Sequence, residues 1–244
     1  MRFQAFLNRL DKLSQAMLSK RLLQALFRHR VLAGAEHRHV LLRDLGTVVD
    51  IGANRGQFAL AARRWAPKAR VISFEPLPNP ASVFRSVFAG DLVIRLHVAA
   101  IGEKAEKTLI HLSARDDSSS LLEIGNAQSS FFPGTHEVGT LEVDVGPLDQ
   151  FVSKEDIARP AMLKLDVQGF EMQALAGCRS LIGYFDYVYC ECSFVELYKG
   201  QKLAGEVISY LGGLGFGLSG IYNPSYDRVG NCIQADLLFT QMGK

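Results

Sequence analysis

The run Val48-Val49-Asp50-Ile51-Gly52-Ala53-Asn54-Arg55-Gly56-Gln57-Phe58 leaves the chain few ways to fold. A short apolar segment ends in an acid. A turn punctuated by glycines follows, and then a segment of helical character. Nineteen residues beyond Gly56, a second apolar run, Val71-Ile72-Ser73-Phe74, ends in Glu75 and Pro76. Strand, glycine turn, helix, strand and acid is the start of a nucleotide-binding βαβ unit. Its glycines let the backbone approach a ligand, and the second acid can hold both hydroxyls of a ribose.

The spacing narrows the ligand. A dinucleotide fingerprint needs G-x-G-x-x-G, because a pyrophosphate must sit on the helix N-terminus. Here Asn54 stands where the second glycine belongs and Gln57 follows Gly56, so the pattern is G-x-N-x-G. That argues against NAD and an oxidoreductase. It suits a ligand without phosphates, with S-adenosylmethionine (SAM) the leading candidate.

The rest of the chain extends the same architecture. Residues 47–51 and 70–74 read as parallel strands buried on both faces, and 57–66 as the helix between them, stopped by Pro67. A helix over 80–89 and a strand over 92–98 complete βαβαβ, which predicts a parallel sheet with right-handed crossovers. Residues 104–146 break the alternation and read as an antiparallel pair joined by a long loop, a candidate lid over the sheet's carboxyl edge. Strands over 161–166 and 186–191, a helix opening at Gly169 and Phe170, and a helix over 203–212 follow. The last two strands, 214–222 and 233–240, have no helix between them and are expected to pair as a hairpin.

Charge is unevenly distributed. Residues 1–45 carry nine Lys/Arg against three Asp/Glu, whereas the remainder carries 18 against 22. Residues 3–32 read as an amphipathic basic helix, either packed on the domain or self-associating, or else touching an anionic membrane surface. His37 and His39 fall in a polar stretch expected to be a surface loop. The domain division expected is a helical extension over 1–45 and a catalytic domain over 46–244. Cys178, Cys190, Cys192 and Cys232 form no C-x-x-C pair and no zinc spacing. No apolar run approaches a membrane span, and the N-terminus has no secretory pattern, so a cytoplasmic protein, peripheral to the inner membrane face at most, is expected. An acidic body without clustered Lys/Arg disfavours nucleic acid as a partner.

Candidate site residues gather at strand ends. Asp50, Glu75, Asp166 and Glu191 each end or nearly end an apolar run, where an unpaired charge would be expensive. Glu75 is assigned to the ribose hydroxyls. Asp50 would hold the Gly52–Gly56 turn or the ammonium of a methionine moiety. Asn54 would satisfy turn amides or a ligand carboxylate. Ala53, Pro76 and Ala99 complete the cofactor-binding set. Asp166 is placed to orient an attacking hydroxyl or take its proton, His97 is the other candidate base, and Glu171 opens a helix whose dipole favours its charge. If a divalent cation is bound, Asp166 and Glu191 are its candidate ligands.

Taken in order, Val-Asp-Ile-Gly-Ala-Asn-Arg-Gly (49–56), Phe-Glu-Pro (74–76), Val-Ala-Ala-Ile-Gly (98–102), Ser-Ser-Leu (119–121) and Lys-Leu-Asp-Val-Gln-Gly-Phe-Glu (164–171) resemble the FkbM family of SAM-dependent methyltransferases. Glu191 and Leu-Tyr-Lys-Gly-Gln (197–201) match as well. Gln168 departs from the commoner Glu of the family. The resemblance implies a class I methyltransferase (Rossmann-like) α/β fold, with a seven-stranded, mostly parallel sheet and an antiparallel last strand. It also implies O-methylation, often of sugar hydroxyls on glycolipids, polysaccharides or natural products. A small-molecule or lipid-linked saccharide is therefore the expected acceptor. A non-catalytic SAM-binding scaffold is the alternative.

Overall fold

The computed structural model describes residues 20–243. The first part of the expected 3–32 helix lies outside those residues. What is described of it is α1 (Lys20–His29). A short helix, α2 (Arg38–Leu41), leads into β1 (Thr47–Ile51), followed by α3 (Gln57–Trp65), β2 (Arg70–Phe74), α4 (Pro78–Val87) and β3 (Ile94–His97). After the insertion come β7 (Ala161–Leu165), α6 (Glu171–Gly177), β8 (Tyr187–Ser193), α7 (Ala204–Gly213), β9 (Phe216–Tyr226) and β10 (Cys232–Gln241). The main sheet runs β3-β2-β1-β7-β8-β10-β9. All pairings in it are parallel except those of β10, which is antiparallel to both β8 and β9. This is the seven-stranded sheet with an antiparallel last strand that the motifs imply.

The sheet is built as its sequence dictates. Every residue of β1 and of β7 is buried, because helices cover both faces of a parallel sheet. One face packs Val49, Ile72, Leu163, Leu175 and Phe239 into a core beneath α6 and α7. The other packs Val48, Val71, Met162 and Tyr189 against Phe58 and Leu60 of α3. Leu22, Val31, Val40 and Leu41, from the segment before β1, join this second core. Burial of one such Leu or Phe side chain contributes about 1.5–3 kcal/mol.

The 104–146 segment carries its own small sheet. β5 (Glu106–Ser113) and β6 (Glu137–Gly146) pair antiparallel, as the alternation predicts, and the two-residue β4 (Ala100–Ile101) adds to β6 in parallel. A short helix, α5 (Asn126–Phe131), occupies the connection that reads as loop. Ile110 and Val143 pack on Leu77, tying this sheet to the exit of β2.

The glycine turn after β1 is shaped by packing. Gly52 has φ +78°, and a Cβ there would lie 1.8 Å from the Asp166 carbonyl oxygen. Gly56 has φ +94°, and its Cβ would lie 2.5 Å from the Phe88 ring. Both positions are thus closed to other residues by protein atoms as well as by backbone conformation. Gly56→Ala is expected to destabilise the fold by about 2–4 kcal/mol, combining a left-handed penalty with overpacking against Phe84 and Phe88. Urea unfolding monitored by circular dichroism measures it.

Candidate active site

The carboxyl ends of β1, β2, β7 and β8 surround a cavity of about 420 Å³, where ligands bind in open α/β sheets. Beneath it, Asp50, Lys164 and Tyr189 are register partners on β1, β7 and β8 and form a polar row across one face. Lys164 Nζ lies 3.0 Å from Asp50 Oδ1 and 3.7 Å from Asp166 Oδ2. It donates to the Gly52 carbonyl at 2.9 Å, and its charge sits 5.6 Å from the centre of the Phe58 ring. Burial disfavours this ammonium, but Asp50 and Asp166 outweigh burial and hold its pKa above that of an ordinary lysine. Asp50 therefore meets an ammonium of the protein itself. Its side chain is wholly buried and contributes nothing to the cavity wall.

Above that row the turn and β2 form one end of the cavity. Glu75 is buried yet lines it. Its Oε2 accepts from Asn54 N at 2.9 Å and its Oε1 from Leu77 N at 2.8 Å. Burial pushes the Glu75 pKa up to about 7, against the pull of those two amides. Asn54 holds φ +46° and accepts from Arg55 N through Oδ1 at 2.8 Å. Gly52, Ala53, Pro76 and Ala99 line this end too, with apolar walls from Phe74 and Ile101. Gly56 stands behind the turn.

At the other end Gln168 bridges the acids. Its Nε2 donates to Asp166 Oδ1 and to Glu191 Oε2, each at 2.8 Å. Its Oε1 accepts from Tyr198 Oη at 2.8 Å, and its carbonyl accepts from Ser120 Oγ at 2.6 Å. Tyr198 Oη also reaches the Ser118 carbonyl at 3.0 Å. The loop after β7 is thus bonded to the insertion, whose 115–121 segment lines the cavity. A second tie joins the turn after β1 to the insertion, where Arg55 donates to Asp116 at 2.6 Å. Burial, then the charge of Asp166, raises the Glu191 carboxyl well above its ordinary range. Asp166 and Glu191 share the Gln168 amide and also interact directly with each other. Among the described residues, no group of three or more His, Cys, Asp or Glu is arranged to hold a metal ion.

Two candidate catalytic residues stand outside the cavity wall. His97 stacks on Phe74 with centroids 5.0 Å apart and packs edge-on to Phe151. Register carries it to the end of β3, one strand beyond Glu75. Glu171 is buried, and its Oε1 accepts from Val167 N at 3.2 Å and Gly169 N at 3.1 Å. It holds the β7 loop in shape from behind. His37, expected in a surface loop, is drawn inward instead. A single 3-10 turn, Ala35–His37, sets its ring edge-on to Phe58 at 5.0 Å and at the cavity wall. His39 is exposed. Lys164 and His37 are among the lining residues to which sequence analysis gave no role. The signal for Lys164 was a lysine inside an otherwise apolar, buried strand.

Over residues 50–218 the sequence matches the family described as the methyltransferase FkbM domain. The chain belongs to the FkbM methyltransferase family. Among its relatives, the 2-O-methyltransferase NoeI of Sinorhizobium fredii is 28% identical over 160 residues, covering 63% of this chain and 66% of that protein. Methyltransferase 1 of Beauveria bassiana is 30% identical over 149 residues, covering 55% and 59%. The 31-O-demethyl-FK506 methyltransferase FkbM of Streptomyces tacrolimicus is 28% identical over 203 residues, covering 73% and 76%. The chain thus spans less than two thirds of the length of the first two relatives. The FkbM match takes in the row of Asp50, Lys164 and Tyr189, Glu75, and the acids bridged by Gln168. It leaves out His37 and all of β10.

Lys164→Met would strand the Asp50 carboxylate in the core. A loss of about 3–5 kcal/mol in denaturant unfolding is expected, partly recovered by adding Asp50→Asn.

Proposed function

We propose that this FkbM chain transfers a methyl group from SAM to a hydroxyl of a saccharide carried on a glycolipid, polysaccharide or natural product. The carrying observation is the buried Glu75 carboxylate at the Asn54 turn, facing a cavity whose far end holds Asp166. When bound, SAM supplies a methyl group on a sulfonium, which a hydroxyl oxygen can displace with loss of its proton. The residues fit it. Glu75 has lone pairs left after accepting from Asn54 and Leu77, enough for two ribose hydroxyls. Phe74, Leu77 and Ile101 offer apolar walls for a base. Among the described residues, the one arginine in the cavity wall, Arg115, is ion-paired with Asp117 at 2.8 Å.

At the far end, Asp166 faces Lys164 on one oxygen and Gln168 on the other. It is suited to receive the acceptor hydroxyl and aim its oxygen. Glu191 and Gln168 extend a surface of hydrogen-bonding groups suited to a polyol. Alignment and exclusion of water supply most of the rate in such a displacement. The names of two relatives, a 2-O-methyltransferase and a 31-O-demethyl-FK506 methyltransferase, support transfer to oxygen.

Incubation with labelled SAM and a panel of glycolipids and polysaccharide precursors tests the reading; label confined to proteins or amines would overturn it. Glu75→Ala is expected to weaken S-adenosylhomocysteine binding about 10-fold or more in calorimetry, with the circular dichroism spectrum unchanged. Unaltered affinity would refute the ribose assignment. Asp166→Asn is expected to bind S-adenosylhomocysteine within about twofold of wild type while turnover falls about 10-fold or more; full turnover would remove Asp166 from the reaction.

A further inference from the structure

His37 has no role in the reading above, and its surroundings define it closely. Its Nδ1 lies 3.1 Å from Tyr189 Oη. Tyr189 Oη in turn donates to Asp236 Oδ2 at 2.7 Å. Asn223 Nδ2 donates to the same Asp236 oxygen at 2.7 Å and to Tyr189 Oη at 3.3 Å. These groups come from four separate places: the turn before α2, β8, β9 and β10.

The protons can be counted. A phenol has one, and at 2.7 Å from a carboxylate oxygen it lies on that line. Tyr189 Oη is then an acceptor toward His37, so the imidazole proton sits on Nδ1. Nε2 keeps its lone pair. Burial, and then the charge of Asp236, push the phenol pKa far above its usual value, so that proton stays. Burial also lowers the His37 pKa, which favours the neutral ring. The charged groups that act on the ring are Asp236, Glu36, Lys164 and Asp166. Glu36 Oε1 is 3.9 Å from Nε2, and Asp236 Oδ2 is 3.8 Å from Nδ1. The carboxylates outnumber the ammonium, so a positive charge arriving on the imidazole is balanced.

His37 also occupies the right end of the cavity. Its hydrogen-bond partners lie on β8 and β10, whereas Glu75 lies on β2, with β1 and β7 between them. It shares the cavity wall with Asp166, Glu191 and Gln234.

We propose that His37 is the catalytic base for the acceptor hydroxyl, held as its Nδ1–H tautomer by the chain Tyr189–Asp236, and supplied from outside the span shared with the family. The proposal rests on methyl transfer to a hydroxyl. As the hydroxyl oxygen bonds to the methyl carbon, the methyl–sulfur bond breaks with its electron pair left on sulfur, the O–H bond breaks, and the proton passes to Nε2. The charge that leaves the sulfonium reappears on the imidazolium, which later releases its proton to solvent. Asp166 orients the hydroxyl and His37 removes its proton.

The test begins on the full chain labelled with ¹⁵N-histidine, without acceptor. The nitrogen shifts of His37, assigned with His37→Gln, are expected to report a neutral ring protonated on Nδ1. Tyr189→Phe, its fold checked by thermal unfolding, is expected to move the proton to Nε2. With labelled SAM and a saccharide that accepts label, His37→Gln is expected to lower kcat about 100-fold or more. Its S-adenosylhomocysteine affinity should stay within about twofold of wild type. Wild-type protein that binds S-adenosylhomocysteine but carries the Nε2–H tautomer, or His37→Gln at full kcat, overturns the proposal alone. Failure of wild type to bind S-adenosylhomocysteine overturns the methyl-transfer reading and this proposal with it.

Discussion

The buried ammonium of Lys164 is the interaction on which the site depends. It neutralises Asp50 at the end of β1, faces Asp166 at the end of β7 and binds the Gly52 carbonyl that opens the turn. One charge thereby fixes the relative height of two strands and the turn above them. A buried ion pair contributes little net stability compared with apolar packing. It does specify geometry, because any displacement leaves a carboxylate or an ammonium uncompensated.

Around that centre the cavity is assembled from distant segments. Glu75 is spent partly on the protein, holding Asn54 and Leu77 so that the turn and the exit of β2 move as one body. Gln168 does the same for the far end, joining Asp166 to Glu191 and, through Tyr198 and Ser120, to the insertion. A glutamate in its place would put three carboxyl groups together without the amide protons that now bridge two of them. The departure at Gln168 therefore has a structural meaning: an amide is what lets these acids sit side by side.

Much of this was legible in the sequence. Strand runs ending in acids located the carboxyl edge, and the turn spacing separated a phosphate-free ligand from a dinucleotide. Alternation in 104–146 revealed β5 and β6, though nothing in so short a segment as Ala100–Ile101 announced β4. What sequence could not show was where each acid would find its partner. Asp50 and Lys164 are 114 positions apart and meet only through strand register. His97 and Glu171 have the right chemistry, yet one is carried a strand too far and the other faces backbone amides. His37 carries no periodic or motif signal. Its position follows from one 3-10 turn and from a tyrosine whose sheet face only the register reveals.

The fit between Gly52 and the Asp166 carbonyl has a consequence for how the molecule comes into being. A turn that looks local, closed within a few residues of β1, is completed by a backbone atom that the chain reaches only after two further helices and the whole insertion. Its final shape cannot precede the docking of β7 between β1 and β8. The Gly52 end of the cavity is accordingly a product of long-range assembly, formed in the same event that brings the Asp166 end into being. Neither end of the cavity is complete until β7 has docked beside β1.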